Sequence, residues 1–72
     1  MLIGKINDRN MQRLLVTIQS VKGVKKIDFR LYNLIHDGQL VETPAGVSLT
    51  LDQTEQVIGL LQEAKRVANQ QQ

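Results

Sequence analysis

Two runs of alternating apolar and polar residues, separated by a glycine, constrain the fold most. Residues 13–19 and 26–32 both alternate with a period of two and contain β-branched side chains, which is typical of strands with one buried face. Gly23 lies between the runs and adopts a positive φ at little cost, which favours a tight turn. The runs therefore predict a β-hairpin. Its polar face is expected to carry Arg13, Leu15, Thr17, Gln19, Lys26, Asp28, Arg30 and Tyr32.

Shorter elements are predicted on both sides of this hairpin. Residues 1–12 are predicted to form a partly irregular arm, with an edge strand over residues 1–6 as the alternative. After the hairpin, an Asp-Gly turn and a Thr-Pro-Ala-Gly turn delimit two short strand candidates, at residues 39–42 and 47–49. Together with the hairpin, these segments predict an antiparallel sheet of four strands.

A helix is predicted after the last strand. Thr50 and Gln53 have the spacing of a capping box, in which each side chain accepts a hydrogen bond from the backbone N–H of the other residue. The segment from Leu51 to Ala68 has an apolar stripe at helical spacing, and residues 69–72 are predicted to form a flexible polar tail. The expected fold class is α+β, with a curved four-stranded antiparallel sheet followed by one C-terminal helix.

The size of the chain favours a homodimer. A single domain over residues 1–72 buries little surface, and small domains are often stabilised by disulfides, a metal or oligomerisation. The sequence contains no cysteine, and one histidine with scattered acidic residues does not form a metal site. The helical stripe is also wider than one sheet contact requires. The residues expected at the dimer interface are Leu60, Ala64 and Val67.

Charge is distributed unevenly along the chain. Residues 1–30 contain seven basic and two acidic side chains, a net charge of +5, whereas residues 31–72 have a net charge of −3. A basic N-terminal half indicates a polyanionic partner, with an ordinary solvated surface as the alternative. Neither a signal peptide nor a membrane span is predicted, so we expect a cytoplasmic protein without a membrane partner.

Enzymatic activity is not expected from the sequence. His36 and Asp37 lie in a predicted turn without a nucleophile or a third group beside them, so a plain turn is the preferred interpretation. No glycine-rich loop precedes the helix as a phosphate-binding loop would. We therefore expect no catalytic residue, metal, cofactor or small-molecule substrate.

Five short motifs follow one another along the chain. They are Ile3-Gly4-Lys5-Ile6, Val21-Lys22-Gly23, Ile27-Asp28-Phe29-Arg30-Leu31-Tyr32, Asp37-Gly38 and Gly46-Val47-Ser48-Leu49. Each is common by itself, but their order and spacing over residues 3–65 are more specific. In this order they resemble the positive cofactor four family of transcriptional coactivators and single-stranded-DNA-binding proteins, in a bacterial or phage member.

The resemblance implies a nucleoid-associated homodimer that binds single-stranded DNA, with RNA as a further candidate, and with little sequence preference. In this family basic residues contact phosphates and aromatic residues stack on bases, without a cofactor. Members support transcription, replication or recombination. The residues expected at the nucleic-acid site are Lys5, Arg9, Arg13, Lys22, Lys25, Lys26, Arg30 and Tyr32.

A second function stays open. Aromatic or basic residues are common in the family at the positions of Val21, Asn33, Val41 and Ala45. A dimeric protein-interaction module of the same fold, with weak or lost nucleic-acid binding, is therefore the alternative. For Arg30, the alternative to a phosphate contact is an ion pair with Asp28 or Glu42. Because Phe29 and Tyr32 are the only aromatic residues, phosphate contacts are expected to dominate any nucleic-acid binding.

Overall fold

The fold consists of four strands followed by one helix, in a computed structural model that describes residues 1–7 and 11–71. The elements are β1 (Leu2–Asn7), β2 (Gln12–Val21), β3 (Val24–Leu34), β4 (Leu40–Leu49) and α1 (Leu51–Gln70). The strands form one antiparallel sheet in the order β1-β2-β3-β4. The predicted fold class, a four-stranded antiparallel sheet with a C-terminal helix, is confirmed.

Strands β2 and β3 form the hairpin that the alternating runs predict. Residues paired across an antiparallel ladder share one face of the sheet. The pairs on the polar face are Arg13 with Tyr32, Leu15 with Arg30, Thr17 with Asp28, and Gln19 with Lys26. At the turn, Lys22 and Gly23 have φ values of 52° and 79°, and positive φ at both central residues is the signature of a type I′ turn. All eight residues predicted for the polar face therefore lie on the same side.

The last strand, β4, is continuous but bulged, which corrects the predicted Thr-Pro-Ala-Gly turn and the two short strands beside it. Between the pairs Arg30–Gly46 and Tyr32–Glu42, β3 has one residue whereas β4 has three. The extra residues include Pro44, which has no N–H to donate and is tolerated at a bulge on an edge strand. The Thr-Pro-Ala-Gly segment, whose composition predicts a turn, is therefore part of a bulge within one continuous strand.

Thr43 forms hydrogen bonds within this bulge and between the bulge and β3. Its hydroxyl donates to the Leu31 carbonyl at 2.8 Å and accepts from the Ala45 N–H at 3.2 Å. Its own carbonyl accepts from Nη1 of Arg30 at 3.1 Å. Side-chain hydrogen bonds thus replace ladder bonds where the register shifts.

Residues 2–7 form an edge strand, which agrees with the alternative predicted for residues 1–6, whereas residues 8–10 of the predicted arm lie outside the described residues. β1 pairs with β2 over residues 2–7, with an irregularity between Leu2 and Gly4. This pairing is made with β2, the next strand along the chain, and the pattern of polar and apolar residues within residues 1–7 does not by itself reveal it. Arg9, predicted to contact nucleic acid from the arm, lies outside the described residues.

Helix α1 begins at the predicted capping box. The Thr50 hydroxyl accepts from the Gln53 N–H at 3.1 Å, and the Gln53 side-chain oxygen accepts from the Thr50 N–H at 3.0 Å. The helix continues to Gln70, so the predicted tail over residues 69–72 is helical at its start. Over the described residues, no helix has the apolar length that crossing a membrane requires.

Much of the apolar surface is uncovered in a single chain. Among the described residues, Leu15 is the one buried apolar side chain, and α1 buries none of its residues. A groove of about 540 Å³ lies between α1 and the apolar face, with walls that include Val16, Phe29 and Leu61. A second groove of about 380 Å³ is lined by Leu14, Phe29, Leu31, Ala45, Gly46 and Val47. Apolar surface of this extent is typical of an interaction site.

Candidate nucleic-acid interface

The centre of the polar face is an ion pair between two residues of β3. Nε and Nη2 of Arg30 donate to the two carboxylate oxygens of Asp28 at 3.2 and 3.1 Å. Asp28 is almost fully buried, and this bidentate contact compensates its charge. The hydrogen bond to Asp28 raises the pKa of Arg30 above its usual value. Arg30 is therefore a permanent cation whose charge is directed partly into the sheet.

Two residues of β4 complete the surroundings of Arg30. Its Nη1 donates to the Thr43 carbonyl, and its Nε lies 3.3 Å from the Glu42 carboxylate. The ion pairs named as the alternative for Arg30 are thus both present, whereas the Thr43 contact depends on the bulge and has no sequence signal. With two carboxylates around one guanidinium, the cluster of Asp28, Arg30 and Glu42 has a net charge of −1. Over the described residues, no three potential metal ligands are grouped together.

The predicted lysines lie around this central cluster. Lys5 and Lys26 are on the polar face, Lys22 is at the hairpin turn, and Lys25 is on the opposite face beside the turn. Three of them are exposed, and Lys26 is half-buried. In the part of the chain that the structure describes, no lysine forms an ion pair. We call Lys22, Lys25 and Lys26 the hairpin cluster; it presents three ammonium groups on both faces of one hairpin end.

Arg13 and Tyr32 are neighbours at the other end of the polar face. They are paired across β2 and β3, and both side chains are half-buried. Nη1 of Arg13 donates to the Gln12 carbonyl at 2.8 Å, which leaves further N–H groups on the guanidinium. Tyr32 pairs with Glu42 on its other side. On the polar face of the described residues, Tyr32 is the single aromatic side chain that a base could stack on.

The residues predicted for a dimer interface lie on α1. Leu60 is 69% exposed and Ala64 is exposed, whereas Val67 is half-buried. The helix residues that line the groove against the sheet are Thr54, Val57, Ile58 and Leu61. Leu60 is not one of them, so α1 has apolar side chains beyond those that face its own sheet. The assignment of these residues to an interface stays a prediction.

Comparison with known proteins assigns the chain to a family. The family described as Transcriptional Coactivator p15 (PC4) matches residues 9–60. This chain belongs to the PC4 family. The matched segment includes β2, β3, β4 and the first half of α1, so the hairpin cluster and the polar-face residues of β2 and β3 lie within it. The resemblance inferred from the sequence motifs is confirmed.

Solved structures of a bacterial PC4 homolog have the same fold. The orthorhombic crystal structure of BPSL1147, a PC4 homolog from Burkholderia pseudomallei, is 29% identical to this chain, with a TM-score of 0.86 over 92% of this chain and 89% of that one. The tetragonal form is 28% identical, with a TM-score of 0.84 over 90% and 96% of the two chains. No curated protein matches the sequence. The similarity extends over nearly the whole length of both chains.

Proposed function

We propose that this PC4-family protein binds single-stranded DNA as a homodimer, with little sequence preference, in support of transcription or of DNA replication and recombination. The observation that carries the proposal is the hairpin cluster within the family-matched segment. Its three ammonium groups have no carboxylate partner in the described structure. RNA is a second candidate ligand, because phosphate contacts do not distinguish the two nucleic acids.

Charge is the main source of affinity in this proposal. Stacking contributes about 1–3 kcal/mol per base in single-strand binding proteins. The polar face offers Tyr32 alone for stacking, so phosphate contacts by the hairpin cluster, Lys5 and Arg13 supply most of the binding free energy. Affinity then falls steeply with salt, with a slope of about −0.7 per phosphate neutralised on a single strand.

The homodimer part of the proposal is supported by the apolar surface of the single chain. Both grooves lie on the sheet face that α1 covers only in part. Exposed side chains such as Phe29, Val47 and Leu61 would be covered by a second copy of the chain. A dimer would also present two hairpin clusters to one strand, which raises the effective affinity of each.

A protein-interaction module is the second candidate function. It is favoured by Val21 and Val24, which are 51% and 54% exposed at the hairpin end and offer apolar contacts beside the lysines. It is also favoured by Asn33, whose side chain accepts a hydrogen bond from Gln12 and so is engaged within the sheet. In this case the dimer persists without measurable affinity for oligonucleotides.

Fluorescence anisotropy with labelled oligo(dT) tests the proposed function. Lys22→Asn removes one charge and keeps the positive φ of the turn, which asparagine tolerates. We expect this variant to bind more weakly, with a salt slope smaller in magnitude by about 0.7. Lys65→Gln removes the same charge from α1 and is the matched control. Duplex DNA of the same length serves as the competitor.

The outcome separates the two candidate functions. Binding that weakens with salt and with Lys22→Asn, but not with Lys65→Gln, supports the nucleic-acid function. An absence of binding at low ionic strength by a folded, dimeric protein would contradict it and favour the interaction module.

A further inference from the structure

Glu42 lies beside the one arginine at the centre of the polar face. Its carboxylate is 3.3 Å from Nε of Arg30, and its side chain is 60% exposed. Asp28, the other carboxylate at the same guanidinium, is only 3% exposed. Asp28 is therefore fixed in the sheet, whereas Glu42 is the carboxylate that solvent reaches. Arg30 is the sheltered member of this pair, with 17% of its side chain exposed, and Glu42 is the member that faces solvent.

Next to the exposed Glu42 carboxylate, the Arg30 guanidinium has N–H groups that form no hydrogen bond to the described residues. A guanidinium has five N–H groups. Three hydrogen bonds of Arg30 run to Asp28 and to the Thr43 carbonyl, one each from Nε, Nη1 and Nη2. Among the described residues, no acceptor is hydrogen-bonded to the second N–H of Nη1 or of Nη2. Internal contacts thus hold Arg30 in place, and 17% of its side chain, which carries the two remaining N–H groups, is exposed.

We propose that the Glu42 carboxylate opposes phosphate binding at Arg30 by electrostatic repulsion. It thereby limits the affinity of the polar face for nucleic acid. The inference rests on the proposed function, because it concerns the same surface. A phosphate that approaches the two remaining N–H groups meets the negative charge of Glu42 as well as the guanidinium. The central cluster with its net charge of −1 then lies between the hairpin cluster and Arg13 along the polar face.

The size of the effect follows from the repulsion between the carboxylate and a phosphate. Two like unit charges about 4 Å apart in water interact strongly enough to change a binding constant about fivefold. Removal of the Glu42 charge is therefore expected to raise affinity for a single-stranded oligonucleotide by about this factor at low salt. It also adds one phosphate contact, which makes the salt slope steeper by about 0.7.

The test compares Glu42→Gln with Glu55→Gln in oligo(dT) titrations at several salt concentrations. Both variants lose one negative charge, but Glu55 lies on α1, which packs on the apolar face of the sheet. The expected result is tighter binding with a steeper salt slope for Glu42→Gln alone. Equal behaviour of the two variants would overturn the inference, because it would show a general charge effect without a local contact.

A second measurement keeps this inference separate from the proposed function. The Nε–H resonance of Arg30 is followed by NMR during titration with pyrophosphate, in the wild-type protein and in Glu42→Gln. If the resonance of Glu42→Gln shifts and saturates at a lower pyrophosphate concentration than that of the wild-type protein, the proposed repulsion by Glu42 is supported. This holds even when neither protein binds oligo(dT) and the proposed function fails. An identical titration in both proteins overturns it, even when the wild-type protein binds oligo(dT) normally.

Discussion

At the scale of single residues, Gly46 occupies a position in the sheet where a side chain does not fit. A Cβ atom at this position would lie 2.6 Å from the Phe29 carbonyl oxygen and 2.8 Å from Cα of Arg30. Real Cβ atoms do not approach backbone this closely, so only glycine lets β4 resume its pairing with β3 after the bulge. Gly46 also pairs with Arg30, whose Nη1 donates to the Thr43 carbonyl on the same strand.

Gly46→Ala is expected to lower the free energy of unfolding by about 1–3 kcal/mol, because the added methyl group forces backbone atoms apart. The matched control is Gly4→Ala in β1, where a Cβ would have open space around it. We expect that control to be neutral or slightly stabilising, since glycine in a strand interior is entropically costly. Urea unfolding followed by circular dichroism measures both. Equal stability of the two variants would show that β4 adjusts at no cost.

At the scale of secondary structure, α1 begins at a complete capping box and packs only sparsely on the sheet of its own chain. Within residues 1–7 and 11–71, the strands that contact the helix are β3 and β4, and none of the helix residues is buried. One residue, Thr50, links the end of β4 to the helix, so the capping box also fixes the direction in which the helix leaves the sheet. Asp52 in the first turn adds a favourable charge at the positive end of the helix dipole.

Thr50→Ala is expected to destabilise the protein by about 1 kcal/mol, because the Gln53 N–H loses its acceptor. Thr50→Ser retains a hydroxyl at the same place and should restore most of the loss. Thermal and urea unfolding monitored at a helix-sensitive wavelength provide the measurement. If the alanine and serine variants unfold alike, the capping hydrogen bonds do not contribute to stability.

At the scale of the whole molecule, one chain does not cover its own apolar surface. The sheet has a polar face that contains its two most buried side chains, Leu15 and Asp28, while the apolar face keeps open grooves. This distribution is the reverse of an isolated two-layer domain, in which the apolar face supplies the core. A second copy of the chain that covers the grooves would restore the usual arrangement.

Light scattering is therefore expected to give twice the mass of the chain, and the melting temperature should rise with protein concentration. Leu60→Glu places a charge on the exposed apolar side of α1 and is expected to dissociate the dimer. Gln62→Glu, an exposed neighbour with the same charge change, is the control. A Leu60→Glu variant that stays fully dimeric would show that the interface lies elsewhere, and a monomeric wild-type protein would contradict the homodimer itself.

The sequence by itself determined the elements whose signals are local. A period of two placed the polar residues of β2 and β3 on one face, and the Thr50–Gln53 spacing located the start of α1, because both depend on residues a few positions apart. Motif order was enough to identify the family. It also supplied the expected site residues, and the fold places those that lie within the described residues at the hairpin end and along the polar face.

Only the tertiary structure decided how the edges of the sheet and the charge of Arg30 are arranged. The pairing of β1 and the single bulged β4 depend on the neighbouring strands, which the composition of each segment does not specify, so local composition suggested an irregular arm and a turn there. Arg30 follows Asp28 by two residues, but its contacts with Glu42 and Thr43 exist only because the bulge brings β4 into that register. A cation's availability to a phosphate depends on the charges around it in space, and the sequence does not give those distances.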